Sequence, residues 1–115
     1  MIWTLSQVAL GGALGSLLRF ATISMVGAPL ATALINIAGS LIMGALYVLL
    51  PARLAPLFMT GVLGGFTTFS AFSLDALKLY NAEEPAQALL YVAGSVILSL
   101  LAVALGAALA RGALL

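Results

Sequence analysis

The chain has 115 residues, 64% of them hydrophobic and 6% charged, with a mean hydropathy of +1.29. A soluble domain carries about 25% charged residues and one this small buries only about two-thirds of its chain surface, so the composition excludes a cytosolic enzyme, a disordered tail and a secreted scaffold. Four basic residues against three acidic leave +1, with no cysteine and no histidine, which excludes a nucleic-acid footprint, disulfide and thiolate chemistry, and the usual catalytic base and transition-metal ligand.

A membrane helix needs about 20 apolar residues to cross roughly 30 Å of hydrocarbon. Read for interruptions, the sequence predicts an all-α integral membrane domain over residues 1–115, with four transmembrane helices at about 2–26, 30–50, 57–80 and 86–110. The first ends at Gly27-Ala28-Pro29. The second carries no charge and stops at Pro51-Ala52-Arg53-Leu54-Ala55-Pro56, where two prolines oppose continuation. The third ends at the polar turn Asn81-Ala82-Glu83-Glu84-Pro85, and the fourth leaves Arg111 to Leu115 as a short tail. Met1-Ile2-Trp3 has no basic leader, so the first span reads as a retained helix rather than a cleaved signal. Trp3 and Tyr80 lie near span ends, where aromatic residues favour the headgroup layer.

Four crossings place Arg53 and Arg111 on one face of the membrane and Arg19 and Lys78 on the other. Two against two gives no orientation by the positive-inside rule. Either four charges are too few to decide, or the chain inserts both ways and pairs antiparallel as a dual-topology homodimer.

In lipid, polar side chains must face protein or water. Thr32, Asn36 and Ser40 in the second span, followed by Gly44, recur at spacings of four, as do Gln87, Tyr91, Ser95 and Ser99 in the fourth; residues four apart stack on one helix face. Serine and threonine also bond back to helix carbonyls or serve as small contact residues. Asn36 has two donors and an acceptor to satisfy in mid-span, as interhelical glue or as part of a solvated path, and together with Tyr91 and Ser95 the path is the reading the sequence favours. In the first span Gly11 and Gly15 permit close helix approach, and Arg19, the one cation inside or beside that span, reads by default as snorkelling to the interface.

The third span holds Gly61, Gly64-Gly65, Thr67-Thr68, Phe69, Phe72 and Asp75. Glycine disfavours helix by about 1 kcal/mol relative to alanine, so this stretch is either an ordinary glycine contact surface or a helix broken at Gly64-Gly65. Unwound backbone is tolerated in a bilayer only where protein buries it or it lines a cavity, and freed carbonyls are hard oxygen ligands suited to an alkali cation. Phe69 and Phe72 sit at packing distance along a helix, but their ring edges can also face an anion. Asp75 reads by default as part of a solvated face near the span's end.

Three runs then carry a resemblance over nearly the whole chain: Gly11-Gly12-Ala13-Leu14-Gly15-Ser16-Leu17-Leu18-Arg19, Asn36-Ile37-Ala38-Gly39-Ser40, and the highly specific Gly64-Gly65-Phe66-Thr67-Thr68-Phe69-Ser70-Ala71-Phe72-Ser73. The chain resembles the small fluoride-channel family often called Fluc or CrcB. The resemblance implies a multi-pass protein of the inner cell membrane, an antiparallel homodimer with two pores, that passively exports fluoride and relieves its toxicity. It implies a structural sodium ion held by the backbone carbonyls of Gly64 and Thr67 from both subunits. It assigns the ion pathway to Asn36, Phe69, Phe72, Tyr91, Ser95 and Ser99, with Thr32 and Thr68 as weaker members and Arg19 and Asp75 as vestibule or pore support. Two residues depart from the family pattern: Ala71 replaces a frequent hydroxyl residue, and Asp75 replaces a common glutamate.

Two other functions compete. A small multidrug-type exchanger also uses four short helices in dual-topology dimers, but it needs a carboxylate deep in the first span, and there is none here. A non-transporting assembly subunit would use the polar stripes only as glue. An intramembrane enzyme is disfavoured, because Asp75, Glu83 and Glu84 all lie near span ends.

Overall fold

The computed structural model describes all residues, Met1–Leu115, and is entirely helical. Helix α1 (Ile2–Val26) ends where Gly27 takes φ 88°, a left-handed conformation open to glycine without steric cost. Helix α2 (Leu30–Leu49) ends at Leu50, which is extended (ψ 131°) because the following Pro51 disfavours helical geometry in its predecessor. A 3₁₀ turn (Ala52–Leu54) leads into a π-helical segment, Pro56–Leu63, and then a short turn α3 (Gly64–Phe66). Helix α4 (Phe69–Asn81) follows, and α5 (Pro85–Ala113) begins with a proline at its first position, where the missing N–H costs nothing. Helix α5 runs through Arg111, so that residue belongs to a helix rather than to the tail read from the sequence.

Four stretches are long and apolar enough to cross a membrane: Ile2–Val26, Leu30–Leu49, Ala52–Asn81 and Pro85–Ala113. At 1.5 Å per residue the 25 residues of α1 reach about 38 Å, long enough to span with some tilt. The distribution of polarity agrees with lipid as solvent. Trp3, Leu10, Phe20, Leu90, Leu101 and Leu109 are exposed, whereas Gln7, Thr32, Thr68, Asp75 and Ser95 are buried. A water-soluble fold would show the reverse.

The helices associate as two tight pairs. Gly11 and Gly15 of α1 lie against the backbone of the π-helical segment at Leu57 and Val62, and Gly65 lies against Gly12 of α1. Gly44 of α2 meets the Val103 backbone of α5, and Gly106 of α5 meets the Leu41 backbone of α2. With no hydrophobic drive between helices in lipid, such close backbone approach is what holds them together. Gln7, buried in α1, donates from Nε2 to the Arg53 carbonyl at 3.3 Å and fastens the turn that enters the third span.

The extended residues of the third span are Thr67 (φ −79°, ψ 155°) and Thr68 (φ −152°, ψ 122°). Gly64 is helical (φ −63°, ψ −35°) and Gly65 lies in the same turn, so the expected break at Gly64-Gly65 is displaced to the threonines. The physical reason is that glycine permits unwinding without causing it. Here Gly65 is used for contact, since a Cβ on it would stand 2.7 Å from the Gly12 carbonyl oxygen. Thr68, by contrast, is suited to start a helix: its Oγ1 accepts the Ala71 N–H at 3.1 Å as the N-cap of α4.

Candidate functional site

A cavity of about 350 Å³ opens beside the Thr67–Thr68 interruption, between α2, α4 and α5. Asn36, Ser40, Thr67, Thr68, Ser95 and Ser99 give it a polar wall, Phe69 and Phe72 an aromatic one, and Met43, Val96, Leu100 and Val103 an apolar one, with Gly39 between. No formally charged side chain lines it. Of the residues assigned to an ion pathway from the sequence, Asn36, Thr68, Phe69, Phe72, Ser95 and Ser99 therefore share one cavity. Thr32, Tyr91 and Asp75 stand behind its wall, and Arg19, half-buried on α1, is not part of it.

The four-residue stripes do not stay on one face. Each step of four advances a helix by about 400°, a drift of about 40°. Thr32 is consequently buried, Asn36 and Ser40 face the cavity, and Gly44 has turned into the α5 contact. The same drift leaves Gln87 exposed and Ser95 buried.

Asn36 and Thr68 form two hydrogen bonds. The Thr68 N–H donates to Asn36 Oδ1 at 2.8 Å, and Asn36 Nδ2 donates to the Thr68 carbonyl at 3.0 Å. Asn36 thus bonds across helices, and its side chain is also part of the cavity wall. Thr68 Oγ1, besides capping α4, lies 3.3 Å from Ser70 Oγ. Thr67 bonds its hydroxyl back to the Leu63 carbonyl at 2.9 Å and places its methyl against Gly39, where a larger residue would collide.

In the aromatic wall the Phe69 and Phe72 ring centroids are 5.5 Å apart, tilted at 56°, and Phe72 lies 5.3 Å from the Tyr91 ring. Phe72 is 7% exposed and Phe69 is 77% exposed. The Tyr91 hydroxyl donates to Asp75 Oδ2 at 3.1 Å. Asp75 is 8% exposed, which corrects the solvated-face reading: a hydroxyl on α5, invisible to spacing within the third span, draws the carboxylate inward.

Two hydroxyls are buried without a hydrogen-bond partner, Thr32 Oγ1 and Ser95 Oγ. Thr32 is 0% exposed and off the cavity, whereas Ser95 lines it. Thr32 Oγ1 has no well-formed bond but stands near the Tyr91 hydroxyl, so Thr32→Val should change stability by under about 1 kcal/mol in either direction. Unfolding titrations in mixed detergent micelles check this; a clear loss would mean that the hydroxyl is bonded.

The backbone around the interruption suits a hard cation. In a continuous helix the Gly64 carbonyl would accept from the Thr68 N–H and the Thr67 carbonyl from the Ala71 N–H. Here those two donors go to Asn36 Oδ1 and Thr68 Oγ1, and neither carbonyl receives the bond. Two neutral carbonyl oxygens without their helical donors match the oxygen ligands that alkali cations take.

Sequence reasoning did not find Gly39, Met43, Val96, Leu100 and Val103 as cavity wall. Apolar residues that line a cavity look the same in sequence as those that face lipid, and only Ser40, in the second-span stripe, carried a signal.

The family model described as CrcB-like protein, Camphor Resistance (CrcB), matches residues 6–107. A protein of Paracoccus denitrificans named fluoride-specific ion channel FluC is 52% identical over 118 residues, covering 95% of each chain. Proteins of the same name from Cereibacter sphaeroides and a Ruegeria species are 49% and 45% identical, covering 97% and 99% of this chain and 98% and 99% of their own. On the match over residues 6–107 and on relatives of equal length at about half identity, the chain belongs to the CrcB-like family.

Proposed function

We propose that this protein is a passive fluoride channel of the inner cell membrane that works as an antiparallel, dual-topology homodimer and exports fluoride to relieve its toxicity. The observation that carries the reading is the uncharged polar and aromatic cavity at the interruption of a membrane span, in a chain whose relatives are named fluoride-specific channels.

The chemistry is that of an anion stripped of water. It needs donors, and fixed cations would hold it too tightly to pass. Asn36 retains one N–H after bonding Thr68. Ser95 has an unpartnered hydroxyl, and Ser99 lines the same wall. Phe69 and Phe72 present ring edges, which carry partial positive charge. Tyr91, held by Asp75, packs against Phe72, and Thr32 is fully buried. Arg19 and Asp75 lie outside the cavity; Asp75 acts through Tyr91, and Arg19 keeps only the supporting role that the family resemblance implies.

Incompleteness of the single chain supports the dimer reading. A polar cavity open on one side cannot face lipid tails without cost, and an almost fully exposed Phe69 beside it leaves an aromatic wall for a second copy to close. The even division of the four cations supports insertion in both orientations. A sodium ion would be held by the Gly64 and Thr67 carbonyls of two copies, since one chain offers too few ligands. When bound it supplies positive potential near the dimer centre.

The purified protein, reconstituted into fluoride-loaded liposomes, is expected to release fluoride once a potassium ionophore balances charge, and to retain chloride in the same assay. Intact dimers that release no fluoride would reduce the cavity to interhelical packing and leave an assembly subunit as the better reading.

A further inference from the structure

We propose that Asn36 is a positioning residue: by taking both backbone groups of Thr68 with its amide, it withholds the Thr68 N–H from the Gly64 carbonyl and fixes the turn that carries Phe69 and Phe72. The functional consequence rests on the fluoride-channel reading; the geometry rests on the hydrogen bonds alone.

The Gly64 and Thr67 carbonyls lose their helical donors for different reasons. Thr67 loses the Ala71 N–H to the Thr68 hydroxyl, a cap within the third span itself. Gly64 loses the Thr68 N–H to Asn36, which comes from α2. Gly64 is already helical and exposed at mid-span. Without a competitor, the helical acceptor of the Thr68 N–H is the Gly64 carbonyl four residues back, and bonding it would continue the helix through the interruption. Asn36 prevents this by offering Oδ1 to the N–H and Nδ2 to the Thr68 carbonyl, so neither backbone group is left bare in the bilayer.

Closure of the turn would also move the aromatic wall. Phe69 follows Thr68 directly and Phe72 packs on Tyr91, so continuing the helix from Gly64 through Thr68 reorients both rings relative to Ser95 and Ser99. Asn36 thus links two features: a carbonyl oxygen free for a hard cation and the placement of the rings. Its second N–H stays free at the cavity, so positioning and donation are not exclusive.

The test uses the intact dimer and sodium chloride as the probe, with thermal unfolding compared against N-methylglucamine chloride. Wild type should unfold at a higher temperature in sodium. Asn36→Leu, nearly isosteric, should lose that sodium-dependent shift and slow fluoride efflux about tenfold or more, as loss of a hydrogen bond to a desolvated group implies. Asn36→Asp, studied at a pH where its carboxyl is protonated so that it both accepts from the Thr68 N–H and donates to the Thr68 carbonyl, should retain the shift. Ser99→Ala, in the same cavity but without a backbone bond, should retain it too.

A sodium shift undiminished in Asn36→Leu would overturn the proposal, as would its loss in Asn36→Asp or its absence from wild type. If Asn36→Leu does not fold, the Asn36→Asp result still decides. Wild type that shows the sodium pattern but conducts no fluoride would sink the channel reading and leave the Asn36 role standing.

Discussion

Replacing Gly106 by valine is expected to destabilise the fold by about 3 kcal/mol or more. A Cβ at this position would collide with the Leu41 carbonyl oxygen and stand 3.0 Å from the Leu41 carbonyl carbon and 3.1 Å from the Ala45 nitrogen. The obstacles are backbone atoms of another helix, so no side chain can rotate away. Relief requires α2 and α5 to separate along their seam. Gly44, where a Cβ would stand 2.9 Å from both the Val103 carbonyl carbon and the Ala107 nitrogen, imposes the same limit from the other side. In lipid the two helices gain nothing from leaving water; dispersion and weak Cα–H···O contacts at close range hold them, and these fall steeply with distance. Overpacking costs typically 1–3 kcal/mol where the surroundings can shift, and the upper end, about 3 kcal/mol or more, is expected where only backbone can. Gly94 and Gly112 of the same helix have nothing within 4 Å, so Gly94→Val and Gly112→Val should cost under about 1 kcal/mol. Denaturation in mixed micelles across the three variants makes the comparison. Equal stability of all three would mean that the seam is looser than the geometry states.

The same seam shows what the sequence could reveal. Four spans were legible because hydropathy and the punctuation at Gly27, Pro51 and Pro85 are local properties of the chain. The two stripes were legible as polar faces, yet Gly44, grouped with the first stripe, turns out to serve α5 because of helical drift. Gly11 and Gly15 were legible as a surface for close approach, but nothing in them named the π-helical segment as partner. That segment itself was invisible, since a shift from i→i+4 to i→i+5 bonding leaves no trace in hydropathy. Gly64-Gly65 marked the right neighbourhood of the third span. The extended residues are the threonines because Asn36, 32 positions upstream of Thr68, supplies the partners that make extension affordable there. Asp75 failed for the same reason, its partner Tyr91 lying 16 positions downstream.

Phe69 and Phe72 should separate under substitution, although they stand one helical turn apart on the same segment. Phe72 is buried, its ring 5.5 Å from Phe69 and 5.3 Å from Tyr91, so Phe72→Leu removes two aromatic contacts of about 0.5–1.5 kcal/mol each. It also frees Tyr91, whose hydroxyl is tied to Asp75, to take other ring orientations. Phe69 has only one aromatic neighbour and an open face, so Phe69→Leu should leave the subunit's own stability within about 0.5 kcal/mol, as surface changes usually do. Ion passage does not separate the two. Leucine has no positive ring edge to offer an anion, so both variants are expected to slow fluoride efflux, by about tenfold for each 1.4 kcal/mol of lost stabilisation at the barrier. For Phe69 that loss would come without a stability change, and for Phe72 with one. If Phe69 meets its own counterpart across a two-fold axis, cysteine in its place should form a disulfide between chains under mild oxidation; the protein has no other cysteine to confuse the result. Efflux unchanged in Phe69→Leu would reduce the exposed ring to lipid contact and take the aromatic wall out of the permeation pathway.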